Sequence, residues 1–351
     1  MVGKTTIEWT ERTWNPVTGC DKVSPGCDNC YAEGIANRFA GTPQFPNGFG
    51  VTLRPERLEE PLKWRKPTRV FVNSMSDLFH DRVPSEHIAR VFAAMRAAPQ
   101  HTFQVLTKRH GRMRYLLGDG GQNLLERATD EETASALYDA PWPLPNVWLG
   151  VSVENQKWAD VRIPALLDTP AAVRFISAEP LLGPIDLHGP LDASGAHRPR
   201  LTYWLNGGPG FADDGTLTVG PRLDWVIVGG ESGPKARPMH PDWARDLRDQ
   251  CVESDVGFLF KQWGEWSPFA PLDAQGRFDF RRGHVVANDG TLYAPSDLAW
   301  PDGLRRGEAV RADHGRAHLT SMYRVGKKTA GRELDGRTWD EFPETRISEV
   351  L

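Results

Sequence analysis

Short runs of β-branched and aromatic residues recur along the chain, and most of them precede a segment with helical periodicity. This alternation is typical of βα units, in which parallel strands are buried beneath helices. We predict strands at Thr6–Trp9, Arg69–Asn73, Thr102–Leu106, Val147–Val151, Val173–Ile176, Trp225–Val228 and Gly257–Phe260. The pattern therefore predicts an α/β fold with a parallel sheet.

Three segments show the apolar spacing of amphipathic helices. They begin near Pro84 and cover Gln156–Leu167 and Pro241–Glu253, where Pro164 should disturb the second. In the third, Trp243, Leu247 and Cys251 lie four residues apart on one face. This spacing predicts that Cys251 belongs to the core and is not a ligand.

The order of these elements indicates how the chain is organised. Residues 1–265 are predicted to form a (βα) barrel of the TIM type, partial, with six to seven strands. A segment rich in Gly, Pro and Asp at about 188–221 reads as a loop or small hairpin inserted between strands. Residues 266–351 are predicted to be an extension packing on the barrel, with short antiparallel strands near Gly276–Phe280 and Gly290–Tyr293.

Composition narrows the class of protein. A hydrophobic fraction of 39% with 25% charged residues is that of a folded globular protein. The first residues lack an apolar signal-peptide segment, and no apolar run approaches the roughly 18 residues of a membrane span. We therefore predict a cytoplasmic protein that makes no membrane contact. The net charge of −4 argues against a generally polycationic nucleic-acid binder but allows a local basic groove.

Three of the four cysteines lie within eleven residues, directly after the first predicted strand. Cys20, Cys27 and Cys30 form a C-x6-C-x2-C pattern, and Pro25 and Gly26 favour a loop between them. Thiolates are the preferred ligands of iron-sulfur clusters. Three ligands on a four-iron cluster leave one iron open, and an open position lets a metal site bind a reactant.

Other interpretations of these cysteines remain open. A structural zinc site normally takes four ligands, so the fourth here would have to be a distant histidine such as His80 or His110. The thiols could also be redox-active or clustered by coincidence.

The cysteine loop, with aromatic Tyr31 after its last thiol, resembles the cluster loop of the radical S-adenosylmethionine superfamily. The usual spacing there is C-x3-C-x2-C, and this chain has three more residues between the first two cysteines. Nearly the whole chain is similar to a phage-associated three-cysteine-motif family of unknown function, whose members resemble radical enzymes of the spore photoproduct lyase type. The segments that carry this resemblance are Thr13–Pro16, the cysteine loop, Asn73–His80, Leu106–Arg109, Val325–Lys328 and Asp335–Arg337.

The resemblance implies an enzyme with a [4Fe-4S] cluster and S-adenosylmethionine as cofactors, in which Cys20, Cys27 and Cys30 are the catalytic metal ligands. A reduced donor such as flavodoxin or ferredoxin would supply the electron, and a protein partner could complete the site. A modified or damaged nucleobase of a nucleic acid is the first expected substrate. The alternatives are a peptide or small metabolite, or a zinc-stapled nucleic-acid-binding module without enzymatic activity.

In parallel barrels the working residues lie at the carboxyl ends of the strands. Bound S-adenosylmethionine needs an acceptor for its amino group, a cation for its carboxylate and polar groups for its ribose. The predicted contacts are Ser74, Ser76 or Asp77 for the amino group, Lys108 or Arg109 for the carboxylate, and Ser152 with Glu154 for the ribose. Each also has a structural interpretation: Asp77 as a turn cap, Lys108 and Arg109 as a solvated face, and Glu154 as a helix start.

Two further carboxylates complete the predicted contacts. Glu179 follows the fifth predicted strand, and Glu231 follows Gly229 and Gly230 after the sixth. We interpret the glycine pair as permitting a close backbone approach to a ligand.

Two clusters of cations are candidate phosphate contacts. Aromatic residues interleaved with cations suit nucleic acid, although charged loops often serve only solubility. The first cluster is Lys108, Arg109, His110, Arg112 and Arg114, and the second is Arg324, Lys327, Lys328, Arg332 and Arg337, near Tyr323 and Trp339.

Overall fold

The computed structural model describes residues 5–138, 140–188, 204–211, 216–277, 279, 283–293 and 319–343. The strands are β1 (Arg12–Trp14), β2 (Val17–Thr18), β3 (Thr52–Leu53), β4 (Arg69–Val72), β5 (Thr102–Thr107), β6 (Val147–Ser152), β7 (Val173–Ala178), β8 (Pro209–Phe211), β9 (Leu217–Val219), β10 (Trp225–Gly229), β11 (Gly257–Gln262), β12 (Trp266–Ser267), β13 (Gly283–Val286), β14 (Leu292–Tyr293), β15 (Thr320–Arg324), β16 (Glu333–Leu334) and β17 (Arg337–Thr338). The helices are α1 (Tyr31–Arg38), α2 (Ser85–Arg96), α3 (His110–Leu117), α4 (Gln122–Leu125), α5 (Glu131–Tyr138), α6 (Gln156–Leu167), α7 (Pro241–Glu253) and α8 (Lys327–Ala330).

A curled parallel sheet organises the fold. Its strand order is β1-β4-β5-β6-β7-β10-β11, and every neighbouring pair is parallel. In the described part of the chain β1 and β11 are the two edges, so the sheet is a half-barrel flanked by helices. The predicted partial TIM-type barrel is therefore confirmed.

The first predicted strand is wrong. Thr6–Trp9 does not pair, and the sheet begins at Arg12–Trp14, which lies beside β4. Trp9 is instead buried inside the half-barrel, with its ring 4.6 Å from that of Phe71 and 6.2 Å from that of Trp225. Its apolar character reflects the filling of the barrel interior, not strand pairing.

The other six predicted strands and the three predicted helices are present, and Pro164 lies within α6 without ending it. A hairpin of β8 and β9 occurs in the predicted insertion, and much of the rest of that segment lies outside the described residues. The extension contains an antiparallel sheet ordered β12-β15-β13-β14. The strand predicted at Gly276–Phe280 is wrong for Gly276 and Arg277, which lie in a turned segment, while Phe278 and Phe280 are outside the described residues.

Two apolar layers follow from the alternation of side chains along the strands. The outer layer packs the sheet against α2, α6 and α7. The inner layer is rich in aromatic rings and fills one half of the barrel interior; its buried members are Trp9, Phe71, Trp148, Val173, Phe175, Trp225, Ile227 and Leu259. A cavity lined by Trp9 and Phe71 of this layer lies toward the carboxyl ends of the strands.

The end of the described chain lies against the edge of the sheet. The Phe260 amide donates to the Trp339 carbonyl at 3.0 Å, and the Glu341 amide donates to the Phe258 carbonyl at 3.2 Å. Phe342 then packs on Trp225 at 5.0 Å. This segment covers the exposed edge of β11, which would otherwise offer unpaired backbone groups.

Among the described residues, no helix has the length and apolar character needed to cross a membrane.

Candidate functional site

A cavity of about 480 Å³ lies at the carboxyl ends of the parallel strands. Its floor is apolar, with Trp9, Phe71 and Leu106, and its walls carry polar side chains from the strand ends. The predicted site residues that line it are Cys20, Cys27, Cys30, Ser74, Ser76, Asp77, Lys108, Ser152, Glu179 and Glu231. Arg109 and Glu154 do not line it.

The cysteine loop, residues 19–30, folds because of local backbone features. Gly19 has a φ of +87°, and its amide donates to the Met75 carbonyl at 2.9 Å, which ties the loop to the end of β4. A side chain at this position would overlap the Gly50 carbonyl. Cys27 ends a 3-10 turn, and Cys30 is the N-terminal cap of α1. The three thiols are thus placed on one compact loop.

The thiols are half-buried and form no disulfide. Burial, reinforced by the Asp77 carboxylate, raises the pKa of Cys20 to about 12. Burial also raises the pKa of Cys30, against the opposing effect of amides in the first turn of α1. Both are therefore protonated at neutral pH, and metal uptake must release their protons.

The donor chemistry fits an iron-sulfur cluster, because three thiols of one loop face one cavity and Cys27 is close enough to influence the pKa of each of the others. The thiols are not preassembled, however. In the described residues, no three His, Cys, Asp or Glu side chains are grouped as a metal-binding set. Binding would therefore have to bring the sulfur atoms together.

Glu154, which follows β6, is fully buried and anchors the cysteine loop to the barrel. Its Oε1 accepts from the Ser24 hydroxyl at 2.6 Å and from the Lys108 ammonium, and its Oε2 accepts from Arg162 at 3.0 Å. Lys108 and Glu154 therefore bind each other in this structure.

Glu231 holds the loop from the other side through Arg237. The guanidinium binds both carboxylate oxygens, at 2.9 and 2.7 Å, and also donates to the Pro25 carbonyl at 2.8 Å and to Asp28 at 3.3 Å. A side chain at Gly230 would overlap the Trp263 carbonyl. This glycine therefore permits a close approach to the chain's own backbone, and it also lines the cavity, so the predicted approach to a ligand stays a prediction.

The other predicted site residues differ in whether their polar side-chain atoms already bind groups of the protein. Asp77 accepts hydrogen bonds from the Phe79 amide at 3.0 Å, the Thr107 hydroxyl at 2.7 Å and the Lys108 amide at 2.9 Å. It therefore links the loop after β4 to the end of β5. The hydroxyls of Ser74 and Ser76 donate to Asn15 and Val17. Arg109 pairs with Asp81 at 3.1 Å. Within the described residues the Ser152 hydroxyl has no hydrogen-bond partner.

Asn73, at the end of β4, was missed by the sequence analysis as a site residue. It has a φ of +62° and is 2% exposed, and neither atom of its side-chain amide has a partner among the described residues. Each unpaired buried polar group costs about 1–3 kcal/mol, and the left-handed backbone adds strain. Asn73 also lines the cavity, so this arrangement is suited to a ligand. Asparagine tolerates this backbone conformation, but no pattern in the sequence required it here.

A half-buried ion pair on the cavity wall was not predicted as a pair, although Glu179 was a predicted contact. Lys261 of β11 lies 2.9 Å from Glu179 at the end of β7, although β10 separates those strands in the sheet. The pair can cross β10 because residue 229 is glycine; a β-carbon there would be 2.5 Å from Glu179 Oε1. The sequence signal was a lysine inside a buried strand.

Most arginines of the two cation clusters bind carbonyl or carboxylate groups of the protein itself. Arg112 donates to the Val83 carbonyl at 2.6 Å, and Arg114 pairs with Asp168 at 3.1 Å. In the second cluster Arg324 donates to the Gly233 carbonyl, while Arg332 and Arg337 pair with acidic residues. Lys327 and Lys328 are exposed, and Lys327 lines the cavity.

A protein-family model described as "Protein of unknown function (DUF5131)" matches residues 4–343. No curated protein matches the chain. One solved structure that resembles it is a cysteine-to-serine mutant of spore photoproduct lyase. That similarity has a TM-score of 0.35 and 12% sequence identity, and covers 72% of this chain and 75% of the other.

Proposed function

Because this chain belongs to the DUF5131 family, whose function is unknown, we propose a function from the site itself: the protein is an iron-sulfur enzyme that uses S-adenosylmethionine for radical chemistry. One observation carries this proposal. Three cysteines of one loop and polar side chains from six strand ends open into a single cavity at the carboxyl end of a parallel half-barrel. Such a cavity combines soft metal ligands with hydrogen-bonding groups for a polar cofactor.

Cys20, Cys27 and Cys30 would hold a [4Fe-4S] cluster. When bound and reduced, such a cluster with one iron free of protein ligands supplies a single electron that cleaves the sulfur–C5′ bond of S-adenosylmethionine. A protein of the flavodoxin or ferredoxin class is the proposed source of that electron. The chain's own residues hold the loop over the cavity and present an apolar floor that limits access of water.

The proposed ligand contacts are revised by the hydrogen bonds in the structure. Asp77, Ser74, Ser76 and Glu154 already bind protein groups, so their polar atoms can reach a ligand only by sharing or exchanging those bonds. Asn73 and the Ser152 hydroxyl line the cavity without such partners among the described residues and are better placed for direct contacts. Glu179 and Lys261 also line it, but they bind each other and would have to share that bond with a ligand.

A nucleobase within a nucleic acid is the proposed substrate. Exposed Lys327 on the cavity lining and Tyr31, 56% exposed beside the last thiol, could contact a phosphate and stack on a base. Strongly salt-dependent DNA or RNA binding would favour this substrate over a peptide or small metabolite. The zinc-stapled alternative would need a fourth ligand beside the three thiols, such as His80 or His110.

The proposal predicts that anaerobically reconstituted protein, reduced with dithionite, converts S-adenosylmethionine into equal amounts of methionine and 5′-deoxyadenosine. Both products are measured by chromatography and mass spectrometry. A Cys30→Ala variant should form neither, because it lacks one cluster ligand. A wild-type protein that binds iron and sulfide but forms no methionine under reduction would contradict the proposed chemistry.

Asn73→Gly is expected to make the free protein more stable and S-adenosylmethionine binding weaker. Glycine adopts the left-handed backbone without strain and removes an unpaired amide, so the free energy of unfolding should rise by about 1–3 kcal/mol. Urea unfolding and isothermal titration calorimetry measure the two effects.

The matched control for this prediction is Asp255→Gly. Asp255 also has a left-handed backbone, with a φ of +52°, but it lies outside the cavity. The control should gain stability without losing affinity. If Asn73→Gly binds the cofactor as tightly as wild type does, Asn73 is not a ligand contact.

A further inference from the structure

The cysteine loop meets the barrel at a fully buried carboxylate. The Ser24 hydroxyl, on the loop, donates to Glu154 Oε1 at 2.6 Å, and Ser24 Oγ lies 3.9 Å from Cys27 Sγ. Glu154 follows β6 and is 0% exposed. This contact joins residues 130 positions apart, so it fixes the loop to the barrel and not merely to itself.

The loop backbone approaches the same carboxylate closely at Gly26. A β-carbon at this position would lie 2.5 Å from Glu154 Oε1 and 2.7 Å from the Lys108 ammonium. Gly26 has no left-handed φ, so space alone requires a glycine here. The loop is therefore seated on Glu154 with no room for a side chain between them.

Two cations neutralise this carboxylate from opposite sides. Lys108 binds Oε1, and Arg162, which is 0% exposed, binds Oε2 at 3.0 Å and the Ser152 carbonyl at 2.6 Å. The two cations balance the charges of Glu154 and of Asp77, whose carboxylate also acts on Arg162. Arg162 Nε and Nη2 have no partner among the described residues, and Cys27 is close enough to affect the pKa of Arg162.

We propose that Glu154 is a positioning residue that seats the cysteine loop on the barrel, with Lys108 and Arg162 as its counter-ions, and that it does not contact the ribose of a cofactor. The significance of this role for the thiols rests on the proposed iron-sulfur function. The seat itself is a property of the protein without a cluster. Its function is to hold the loop at a fixed place on the barrel, with Ser24 and Gly26 in direct contact with the carboxylate and Cys27 next to Ser24.

The test measures the accessibility of each thiol in the full-length protein without metal. Alkylation by iodoacetamide is followed for each cysteine by peptide mass spectrometry. Ser24→Ala removes the hydrogen bond that the loop donates to Glu154. Gly26→Ala adds a β-carbon that would overlap the carboxylate and displace the loop. Both variants keep the charges of Glu154, Lys108 and Arg162. Each variant is expected to alkylate Cys27 about tenfold faster than wild type, as for loss of a hydrogen bond to a charged group.

The chain offers close controls. Gly34→Ala lies on α1, where nothing is within 4 Å of a new β-carbon, and Ser135→Ala lies on the exposed face of α5. Both should alkylate as wild type does. Ser24→Thr keeps the hydroxyl and should restore the slow rate. Buried Cys251 serves as an internal reference, since faster alkylation there would reveal general unfolding.

Wild-type alkylation rates at Cys27 in both Ser24→Ala and Gly26→Ala would overturn the seating role. The two proposals can fail separately. If the variants expose Cys27 but the wild type binds no iron, the seat stands and the iron-sulfur function falls. If the wild type binds a cluster but Cys27 is alkylated equally fast in the variants and the wild type, the iron-sulfur function stands. Glu154 then does not position the cysteine loop.

Discussion

Replacing Cys27 with alanine is expected to reduce the iron content of anaerobically reconstituted protein from about four atoms per chain to background. The proposed site has only three protein ligands, so the loss of one leaves two thiols that cannot hold a four-iron cluster. Cys27 is the middle of the three ligands along the loop and lines the cavity with the other two. Iron, acid-labile sulfide and the visible spectrum are measured together, and all three signals should disappear.

Cys251→Ala is the matched control for this loss. Cys251 is buried in the apolar layer around α7 and lies outside the cavity. Its replacement should lower the free energy of unfolding by about 1–2 kcal/mol through lost packing, and leave the iron content unchanged. Equal iron in the Cys27→Ala variant and the wild type would show that these thiols are not the ligands.

Glu154→Leu is expected to lower the free energy of unfolding by about 3–5 kcal/mol, the cost of removing one partner from a buried ion pair. The leucine would leave Arg162 without its carboxylate and Lys108, 18% exposed, without its counter-ion. Urea unfolding of the metal-free protein, followed by circular dichroism, measures the change.

Two comparisons isolate the buried charge. Glu59→Leu removes an exposed carboxylate that pairs with Lys63 at 3.5 Å, and should change stability by less than about 1 kcal/mol. Adding Arg162→Met to Glu154→Leu should recover part of the loss, because one unpaired charge is then gone. A Glu154→Leu protein as stable as the Glu59→Leu control would contradict the buried arrangement described here.

The fold could be predicted from the sequence to the extent that local patterns specify it. Six strands and three helices follow apolar periods that the structure preserves, and α6 has its predicted bounds despite Pro164. The first strand was misplaced because Ile7 and Trp9 have the composition of a strand but fill the barrel interior. Composition cannot distinguish a residue that pairs in a sheet from one that packs inside it.

The position of the site in the fold could be predicted from the sequence, but the hydrogen bonds and ion pairs within it could not. Parallel strands carry their polar ends to one side, so the residues that would share the cavity could be named in advance. What each carboxylate binds depends on long-range contacts, such as those of Glu154 with Ser24 and of Glu231 with Arg237. Asn73 was missed because its burial and left-handed backbone are tertiary properties that a residue type does not reveal. The pairing of Lys261 with Glu179 across β10 likewise depends on long-range packing.

The metal content of wild-type protein purified without oxygen tests the central claim most directly. Iron, sulfide and zinc are measured on one sample together with its visible spectrum. We predict a brown protein with about four irons and four sulfides per chain and little zinc. Colourless protein with one zinc per chain, and no iron after reconstitution, would contradict the radical chemistry and favour a zinc-stapled binding module.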